Sequence, residues 1–336
     1  MKAAIFEQIG RPLQIGQIAT PTPKKGEILL KVHRCGICGS DLHMTEDPVF
    51  CIPTGAVLGH EFSGTIVETG PSVTRFKVGD RVTALPINSC GACASCLAGE
   101  PAWCHSMSLQ GGGYAQYLTV HERQCVRLPA ALSDEDGALV EPLAVGLHGV
   151  LLADMKPGAK VMIVGAGPIG LAVIYWAKAM GAGRIAVSAN SRQREGLALE
   201  MGADIFVDPS NGVTSEAVTD ALKGPPDIVF ECVGKPGLIQ QCVTLVRPRG
   251  TVVVLGLCTG MDTIDPFAAI QKEVRIQMAV FYGIADFEQA VRSLDTGMVE
   301  PRAMITDRIS LDDLPTKFEM LKSRSSECKV MVAPNS

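Results

Sequence analysis

The stretch VMIVGAGPIGLAVIYWAKAM, residues 161–180, decides the fold of one half of this chain. It opens with an apolar strand pattern, continues at once into the glycine-rich turn GAGPIG, and then follows a helical pattern of apolar positions. In such a unit the glycines permit the tight turn, the approach of a pyrophosphate to the backbone, and close packing of helix on strand. The pattern therefore predicts a dinucleotide site. Its candidate contacts are Gly165, Gly167, Pro168, Ile169 and Gly170.

The sequence on both sides of this stretch predicts two domains. From Lys160 onward the apolar strands VMIV, RIAV, DIFV, DIVFE and TVVVLG alternate with helical segments, which predicts an α/β architecture with a parallel, doubly wound sheet. A last strand is expected in 273–282, an amphipathic helix in 286–297, and a strand in the tail ECKVMVA. Up to about residue 146, short alternating segments broken by Gly and Pro predict a β-rich domain. A chain of 336 residues can bury both cores.

The segment SANSRQR, residues 188–194, bears on the choice of cofactor. NAD-binding sites of this type carry Asp or Glu about 20 residues after the glycines, where it holds the ribose 2′-hydroxyl. Ala189 occupies this position, so a 2′-phosphate would meet no carboxylate there. We therefore predict NADP(H) rather than NAD; the alternative is that both nearby arginines are only the solvated start of a helix. The candidate contacts are Ala189, Asn190, Ser191, Arg192 and Arg194.

Four cysteines lie close together in CGACASCLAGEPAWC, residues 90–104. Four thiolates on a short loop are suited to a tetrahedral zinc shell, so this segment predicts a structural zinc lobe. Disulfide bonds are the alternative. The first residues, MKAAIF, lack the charged-then-apolar pattern of a secretory leader, so we expect a reducing, cytoplasmic location. The predicted ligands are Cys90, Cys93, Cys96 and Cys104.

Composition excludes two classes of partner. The formal charge is −5, with acidic and basic residues intermixed, whereas nucleic-acid binding needs a concentrated basic face. Although 47% of the residues are apolar, no stretch approaches the roughly 20 apolar residues that span a bilayer. We therefore expect neither nucleic acid nor membrane as a partner.

A second metal site is predicted from residues before and after the four cysteines. Cys38 and His60 supply a thiolate and an imidazole, and a carboxylate would complete the ligand set of a catalytic zinc with an open position. Two carboxylates compete for this role, Glu61 beside His60 and Glu141 further along. The remaining cysteines are interpreted as packed side chains, and they are Cys35, Cys51, Cys125, Cys232, Cys242, Cys258 and Cys328.

Six motifs occur in a characteristic order: CGICGSDLH, GHEFSGTIVETG, GDRV, the four-cysteine run, EPLAVGLHG and GAGPIG. In this the chain resembles the zinc-dependent medium-chain alcohol and polyol dehydrogenases, in particular the branch of sorbitol, threonine and butanediol dehydrogenases. The resemblance implies a GroES-like catalytic domain formed by residues 1–146 and 284–336, and a Rossmann domain formed by 147–283. It also implies an active site in the cleft between the domains and a homodimer or homotetramer.

The same resemblance implies roles for individual residues. Cys38 and His60 would be zinc ligands, and Glu61 either a ligand or an exchangeable neighbour of the metal. Glu141 corresponds to a carboxylate that binds the zinc or holds its water. Ser40 would contact the bound alcohol, and His43 would pass its proton towards solvent; the alternative for His43 is a surface histidine without a relay role.

The substrate is expected at positions where this chain departs from polyol dehydrogenases. Those enzymes carry an aromatic hydroxyl after the relay histidine and an arginine–tyrosine pair near the end of the Rossmann domain. Here Met44 follows His43, and the later pair is Phe281 and Tyr282. Unpartnered substrate hydroxyls would each cost roughly 1–3 kcal/mol in such surroundings. We therefore predict a secondary alcohol or ketone with an apolar or aromatic substituent, the alternative being that Met44 and Phe281 are ordinary packing residues.

Other functions remain open on the sequence alone. A polyol, sugar or vicinal-diol dehydrogenase of the same family is the nearest alternative. A zinc-free quinone reductase would share the Rossmann half but would need neither set of metal ligands. A non-catalytic binding scaffold is the alternative from a different class.

Overall fold

The computed structural model describes residues 1–297, 301–323 and 326–336. They form two compact units. The first unit consists of 1–141, 282–296 and 305–336, and the second of 142–281 and 297–304. The domain boundaries at residues 146 and 284 stay a prediction.

The described residues form seventeen strands. They are β1 (Lys2–Ile5), β2 (Gln14–Gln17), β3 (Glu27–Gly36), β4 (Glu61–Thr69), β5 (Arg81–Ala84), β6 (Ile87–Asn88), β7 (Ser108–Leu109), β8 (Tyr117–His121), β9 (Cys125–Arg127), β10 (Lys160–Val164), β11 (Arg184–Ser188), β12 (Ile205–Phe206), β13 (Ile228–Glu231), β14 (Thr251–Val254), β15 (Arg275–Met278), β16 (Ile305–Ser310) and β17 (Lys329–Ala333).

Helices connect these strands. The α-helices are α1 (Gly39–Met44), α2 (Ala94–Leu97), α3 (Asp134–Leu152), α4 (Pro168–Ala179), α5 (Glu195–Glu200), α6 (Ser215–Leu222), α7 (Leu238–Leu245), α8 (Pro266–Gln271), α9 (Ile284–Thr296) and α10 (Leu314–Leu321). Short 3₁₀ turns lie at Pro48–Phe50, Pro101–Trp103, Glu122–Gln124, Arg192–Arg194, Pro209–Asn211 and Pro301–Met304. None of the described helices combines the length and the apolar character that crossing a bilayer requires.

The first unit is built on a mainly antiparallel sheet with the strand order β16-β17-β3-β4-β5-β9, and β8 pairs with β3 as well. Alternate residues of β3, among them Ile28, Leu30 and Val32, point into one core. Phe62 of β4 and Val330 of β17 pack in the same core. This is the GroES-like β-rich architecture that the sequence analysis predicts.

The second unit contains a six-stranded sheet with the order β12-β11-β10-β13-β14-β15, in which every neighbouring pair is parallel. The central strands β10, β13 and β14 are almost fully buried, as expected when helices cover both faces of a parallel sheet. The predicted fold class, a Rossmann-like α/β sheet beside a β-rich domain, is therefore confirmed.

Two predicted elements differ in length from what the structure shows. The strand expected over 273–282 forms only as β15, and Phe281 beyond it has a left-handed φ of 55°, which is incompatible with an extended strand. The helix expected over 286–297 begins earlier, at Ile284.

Candidate active site and zinc lobe

The first group of candidate ligands is assembled by two neighbouring antiparallel strands. Gly36 at the end of β3 lies opposite Glu61 at the start of β4. Because Cys38 follows β3 by two residues and His60 directly precedes β4, strand pairing brings these distant parts of the chain together. A Cβ at Gly36 would collide with the Glu61 carboxylate, so glycine is needed where the carboxylate crosses the strand.

Cys38, His60 and Glu61 form a set whose donor atoms all lie within 4.8 Å of one another. Among the described residues Glu141 is not part of this set. The set combines a thiolate, an imidazole and a carboxylate oxygen, which are the ligand types that zinc prefers in catalytic sites. The residues present therefore fit a zinc ion with an open coordination position.

The His60 ring is held from its far side. Its Nδ1 lies 3.2 Å from Oδ1 of the fully buried Asp41, and its Nε2 lies 3.4 Å from the Ser40 hydroxyl. Burial opposes protonation of His60, but the negative charges of Asp41 and Cys38 outweigh burial and raise its pKa well above its usual value. A site that stabilises positive charge so strongly is suited to a cation.

Glu61 has a second partner besides the predicted metal. The Nζ atom of Lys329 donates to both carboxylate oxygens, at 2.6 and 2.7 Å, and to the Ile37 carbonyl at 3.1 Å. Both side chains of the ion pair are almost fully buried. Burial alone would lower the pKa of Lys329, but the charge of Glu61 reverses the effect and raises it. Lys329 is therefore a buried cation that holds the Glu61 carboxylate in place.

Glu141 lies in a different environment. Its Oε1 accepts a hydrogen bond of 2.9 Å from the Tyr282 hydroxyl. Burial raises the pKa of Glu141 to about 7, although the charge of His60 works against this shift. A divalent cation nearby would favour the ionised carboxylate.

The remaining predicted residues of this site lie on or near α1 and α9. The Ser40 hydroxyl is 3.2 Å from Cys38 Sγ, whereas His43 is exposed on the same helix. Met44 is only 9% exposed and belongs to the core of the first unit, so its side chain is a packing residue in this structure. Phe281 is half-buried, and the Tyr282 ring stacks on Phe287 with 5.8 Å between ring centroids.

The four cysteines of the predicted zinc lobe also come together. Their Sγ atoms all lie within 4.8 Å of one another, with Cys93 and Cys96 3.5 Å apart and Cys90 and Cys96 3.9 Å apart. Zinc–sulfur distances of about 2.3 Å in a tetrahedron require sulfur–sulfur distances of about 3.8 Å. The described residues contain no disulfide bond. The lobe, including Cys104, therefore fits one zinc ion.

Backbone amides stabilise thiolates in this lobe. The N–H groups of Cys90 and Ser106 donate to Cys104 Sγ at 3.3 and 3.4 Å, and those of Ala92 and Cys93 donate to Cys90 Sγ at 3.4 and 3.3 Å. These bonds lower the pKa of Cys104 to about 5, and backbone donors lower that of Cys90 as well. At Cys90 and Cys104 the loop thus favours the ionised form that binds metal, whereas at Cys93 a backbone hydrogen bond is outweighed by desolvation and the neighbouring cysteines, which raise its pKa.

The glycine turn of the second unit has the geometry expected for a dinucleotide loop. Gly165 adopts φ 109°, and a Cβ on Gly170 would collide with the Gly165 carbonyl. Gly167 caps α4, and Pro168 occupies its first position, with Ile169 following. The loop and the start of α4 therefore leave room for backbone contact with phosphate groups.

The two arginines after β11 differ in their partners. Arg192 forms ion pairs with Glu195, at 2.7 Å, and with Asp208, at 3.0 Å. Arg194 instead donates from Nη1 to the Ala166 carbonyl in the glycine turn, at 3.3 Å. Ala189 lies directly after β11 and is half-buried; Asn190 is exposed and Ser191 half-buried. Within the described part of the chain, Arg194 therefore hydrogen-bonds to the glycine turn, whereas Arg192 pairs with acidic side chains.

Sequence reasoning missed three residues that organise the first site, namely Asp41, Tyr114 and Lys329. Asp41 lies three residues after Cys38 in the motif CGSDLH, so its proximity to the ligands was accessible from helical spacing. Tyr114 and Lys329 are distant in sequence, and a lysine in a strand-like tail resembles any surface lysine. Only the tertiary structure reveals their positions.

Comparisons with known proteins show the family to which the chain belongs. A family model described as "Alcohol dehydrogenase GroES-like domain" matches residues 24–130, and one described as "Zinc-binding dehydrogenase" matches residues 168–296. An (R,R)-butanediol dehydrogenase from Bacillus subtilis (strain 168) is 36% identical over an alignment of 352 residues that covers 100% of both chains. A sorbitol dehydrogenase from the same strain is 32% identical over 348 residues, covering 100% of this chain and 98% of the relative.

A solved structure shows the same fold. The protein, from Sinorhizobium meliloti 1021, is described as a zinc-binding dehydrogenase bound to NADP. It is 34% identical, has a TM-score of 0.90, and the match covers 99% of each chain. The chain therefore belongs to the zinc-type medium-chain dehydrogenase/reductase family, and it is an oxidoreductase of the alcohol dehydrogenase kind.

Proposed function

We propose that Cys38, His60 and Glu61 hold a catalytic zinc, and that the four-cysteine lobe holds a structural one. The mutual distances of the three donor atoms carry the first assignment, and the sulfur–sulfur distances carry the second. Glu61 is the third ligand in this proposal because its carboxylate belongs to the set, whereas Glu141 stands beside it as a second acid. A zinc ion held there would supply Lewis-acid polarisation of an alcohol or carbonyl oxygen.

The protein side chains around this site would handle the proton. Ser40 lies within hydrogen-bond reach of both Cys38 and His60, so its hydroxyl can contact a substrate oxygen and exchange a proton with it. His43 lies three residues further along the same helix, on the same face, and is exposed. Ser40 and His43 therefore form the proposed path of the proton from the substrate to solvent.

We propose NADP(H) as the preferred cofactor. NAD sites carry an acidic residue at the position after β11, where this chain has Ala189. The 2′-phosphate of NADP would therefore meet no repelling carboxylate there. The charge of Arg192 is neutralised by Glu195 and Asp208, so Arg194, next to the glycine turn, is the arginine that would bind the phosphate. The relative solved with NADP bound supports the proposal.

The proposed substrate is a secondary alcohol or the corresponding ketone, with an apolar or aromatic substituent. Tyr282 donates its hydroxyl proton to Glu141 and thus has no proton left to offer a substrate hydroxyl. Phe281 stands where polyol dehydrogenases have arginine. Met44 is buried in the core and is not a substrate contact in this proposal. The proposed apolar substituent is therefore supported by Phe281 and Tyr282.

A vicinal diol or polyol is the second candidate. It is favoured by the relatives named for butanediol and sorbitol, which match the whole chain at 36% and 32% identity. Glu141 would then accept a hydrogen bond from a second substrate hydroxyl.

We also propose a homodimer, or a tetramer built from such dimers, formed through the edge of the second unit's sheet. β15 pairs with β14 on one side only in the described chain, and an unpaired edge strand readily pairs with another strand. Met278 at its end is 60% exposed, and Val280 just beyond it is 50% exposed. Phe267 and Ile270 on α8 are exposed as well. A second copy of the chain would cover these apolar side chains.

The two metal assignments predict different consequences for two cysteine-to-serine changes. The wild-type protein should contain two zinc ions per chain by atomic emission. Cys38→Ser should lose one zinc ion and reduce kcat to background, while the unfolding temperature stays close to wild type. Cys93→Ser should also lose one zinc ion but chiefly lower the unfolding temperature, because the lobe is a structural element. A Cys38→Ser protein with normal kcat would contradict the catalytic assignment.

The cofactor proposal predicts opposite behaviour for two neighbouring arginines. Arg194→Ala should lower the ratio of kcat/KM for NADP over NAD by about tenfold, the equivalent of about 1.4 kcal/mol of binding. Arg192→Ala is the matched control and should change the ratio less, because its charge is already paired. Ala189→Asp should shift the ratio towards NAD through repulsion of the 2′-phosphate. Unchanged ratios in both Arg194→Ala and Ala189→Asp would refute NADP preference.

The substrate proposal is tested by a panel of alcohols assayed with NADP and with NAD. Phenyl- and alkyl-substituted secondary alcohols should give kcat/KM values at least about tenfold above sorbitol, the cost of one unmet hydrogen bond. Highest activity on 2,3-butanediol or sorbitol would instead establish the second candidate. The Cys38→Ser protein serves as the negative control for background cofactor reduction. If the wild-type protein reduces no cofactor with any alcohol, a non-catalytic scaffold is favoured instead.

The proposed assembly predicts that a charged substitution at the edge strand β15 lowers the mass of the particle in solution. Met278→Glu would place a charge within the apolar surface that a second copy would cover, so light scattering should report a smaller particle than for wild type. Met320→Glu is the control, since Met320 is similarly exposed, at 57%, on α10 of the first unit. A monomeric wild-type protein, or an unchanged mass for Met278→Glu, would rule out this interface.

A further inference from the structure

A buried tyrosine stands behind the candidate ligand His60, two contacts away from it. The Tyr114 hydroxyl donates to Oδ2 of Asp41 at 2.6 Å, and Oδ1 of the same carboxylate lies 3.2 Å from Nδ1 of His60. We propose that Tyr114 is a positioning residue, which fixes the Asp41 carboxylate and through it the orientation of the His60 ring. The inference rests on the proposed function, because it assumes that His60 binds the catalytic zinc.

The Asp41 carboxylate needs this hydroxyl because it is shielded from water. Its other donors are weaker: the backbone N–H of Gly59 donates to Oδ1 at 3.3 Å, and that of Cys38 to Oδ2 at 3.4 Å. The Tyr114 bond is the shortest contact of the carboxylate, and Asp41 is 0% exposed. Among the described residues, loss of this donor would leave Oδ2 with the 3.4 Å bond from the Cys38 N–H, in a site shielded from solvent.

Several backbone and ring contacts fix the position of Tyr114, so its hydroxyl can hold the Asp41 carboxylate in one place. Its backbone N–H donates to the Leu58 carbonyl at 3.0 Å, and its carbonyl accepts from Ala4 at 2.9 Å. The ring is fully buried, meets Phe318 edge to face at 6.3 Å, and lies so close to Gly59 that a Cβ there would collide with it. The hydroxyl therefore has little freedom to follow a moving carboxylate.

This arrangement selects which nitrogen of His60 faces the metal. In the neutral ring that a metal needs, Nδ1 would donate to Asp41 and Nε2 would be the unprotonated nitrogen; Nε2 lies on the side of Ser40, which also contacts Cys38 Sγ. The chain from Tyr114 to Asp41 to His60 thus prepares the imidazole as a ligand. Outer contacts of this kind are commonly worth 10- to 100-fold in metal affinity.

Tyr114→Phe is the variant that tests the inference. It removes one oxygen atom and keeps the ring packing. In titrations of the holoenzyme with a chromogenic zinc chelator, we expect the affinity of one zinc ion to fall by about 10- to 100-fold, with the lobe zinc unchanged. After Co²⁺ replaces this zinc, the visible absorption bands should also shift, because the ligand geometry is less constrained.

Tyr175→Phe is the matched control. Tyr175 is also fully buried, but it lies on α4 of the second unit, edge to face with Trp176 at 4.9 Å. A general loss of packing would lower the unfolding temperature in both variants without changing zinc affinity. A second test is the double change Tyr114→Phe with Asp41→Asn: if Tyr114 acts through Asp41, the two effects on zinc affinity are less than additive.

The outcomes separate this inference from the proposed function. Wild-type affinity at both zinc sites in Tyr114→Phe would overturn the positioning role and leave the catalytic zinc intact. Fully additive effects in the double variant would likewise overturn it. A wild-type protein that binds zinc only at the lobe would overturn the proposed function together with the inference.

Discussion

The buried ion pair between Lys329 and Glu61 is the interaction on which the site depends. Both groups are almost fully removed from water, and breaking such a pair by removal of one partner commonly costs about 3–5 kcal/mol. The pair also ties β17, near the end of the chain, to the start of β4. β17 also pairs with β3 at Cys35 and Gly36. The ion pair and the strand pairing therefore hold the same part of the first unit together, where β3 ends and β4 begins.

Around the Lys329–Glu61 ion pair, negative groups outnumber positive ones. Cys38, Asp41, Glu61 and Glu141 are acidic or can become anionic, and within the same surroundings Lys329 supplies a fixed cation. The negative charges of Asp41 and Cys38 outweigh burial and raise the pKa of His60, which reflects a deficit of positive charge at this site, whereas burial is the main cause that raises the pKa of Glu141 to about 7. A divalent cation among the donors would relieve this deficit and would also favour the ionised form of Glu141.

Much of this arrangement could be predicted from the sequence. The glycine turn, the alternation of strands and helices, and the spacing of the four cysteines are local patterns, and the structure forms the corresponding elements. Cys38 and His60 could be singled out among twelve cysteines and six histidines because they lie in the motifs CGICGSDLH and GHEFSGTIVETG. The contacts of Arg192 with Glu195 and Asp208, and of Arg194 with the glycine turn, were not predictable, because rotamers and ion pairs decide them. The side chain of Met44, a predicted pocket residue, packs in the core of the first unit, which the sequence pattern does not indicate.

By itself the sequence determined the two folds, the glycine turn and the cluster of four cysteines, because each depends on residue types at short, fixed spacings. Tertiary structure alone decided which carboxylate joins Cys38 and His60, since strand pairing between β3 and β4 sets the distance of Glu61. It also decided the partners Lys329 and Tyr114, which reach the site from distant parts of the chain. Buried charges and hydrogen bonds are satisfied across the fold, and no local pattern encodes such long-range pairing.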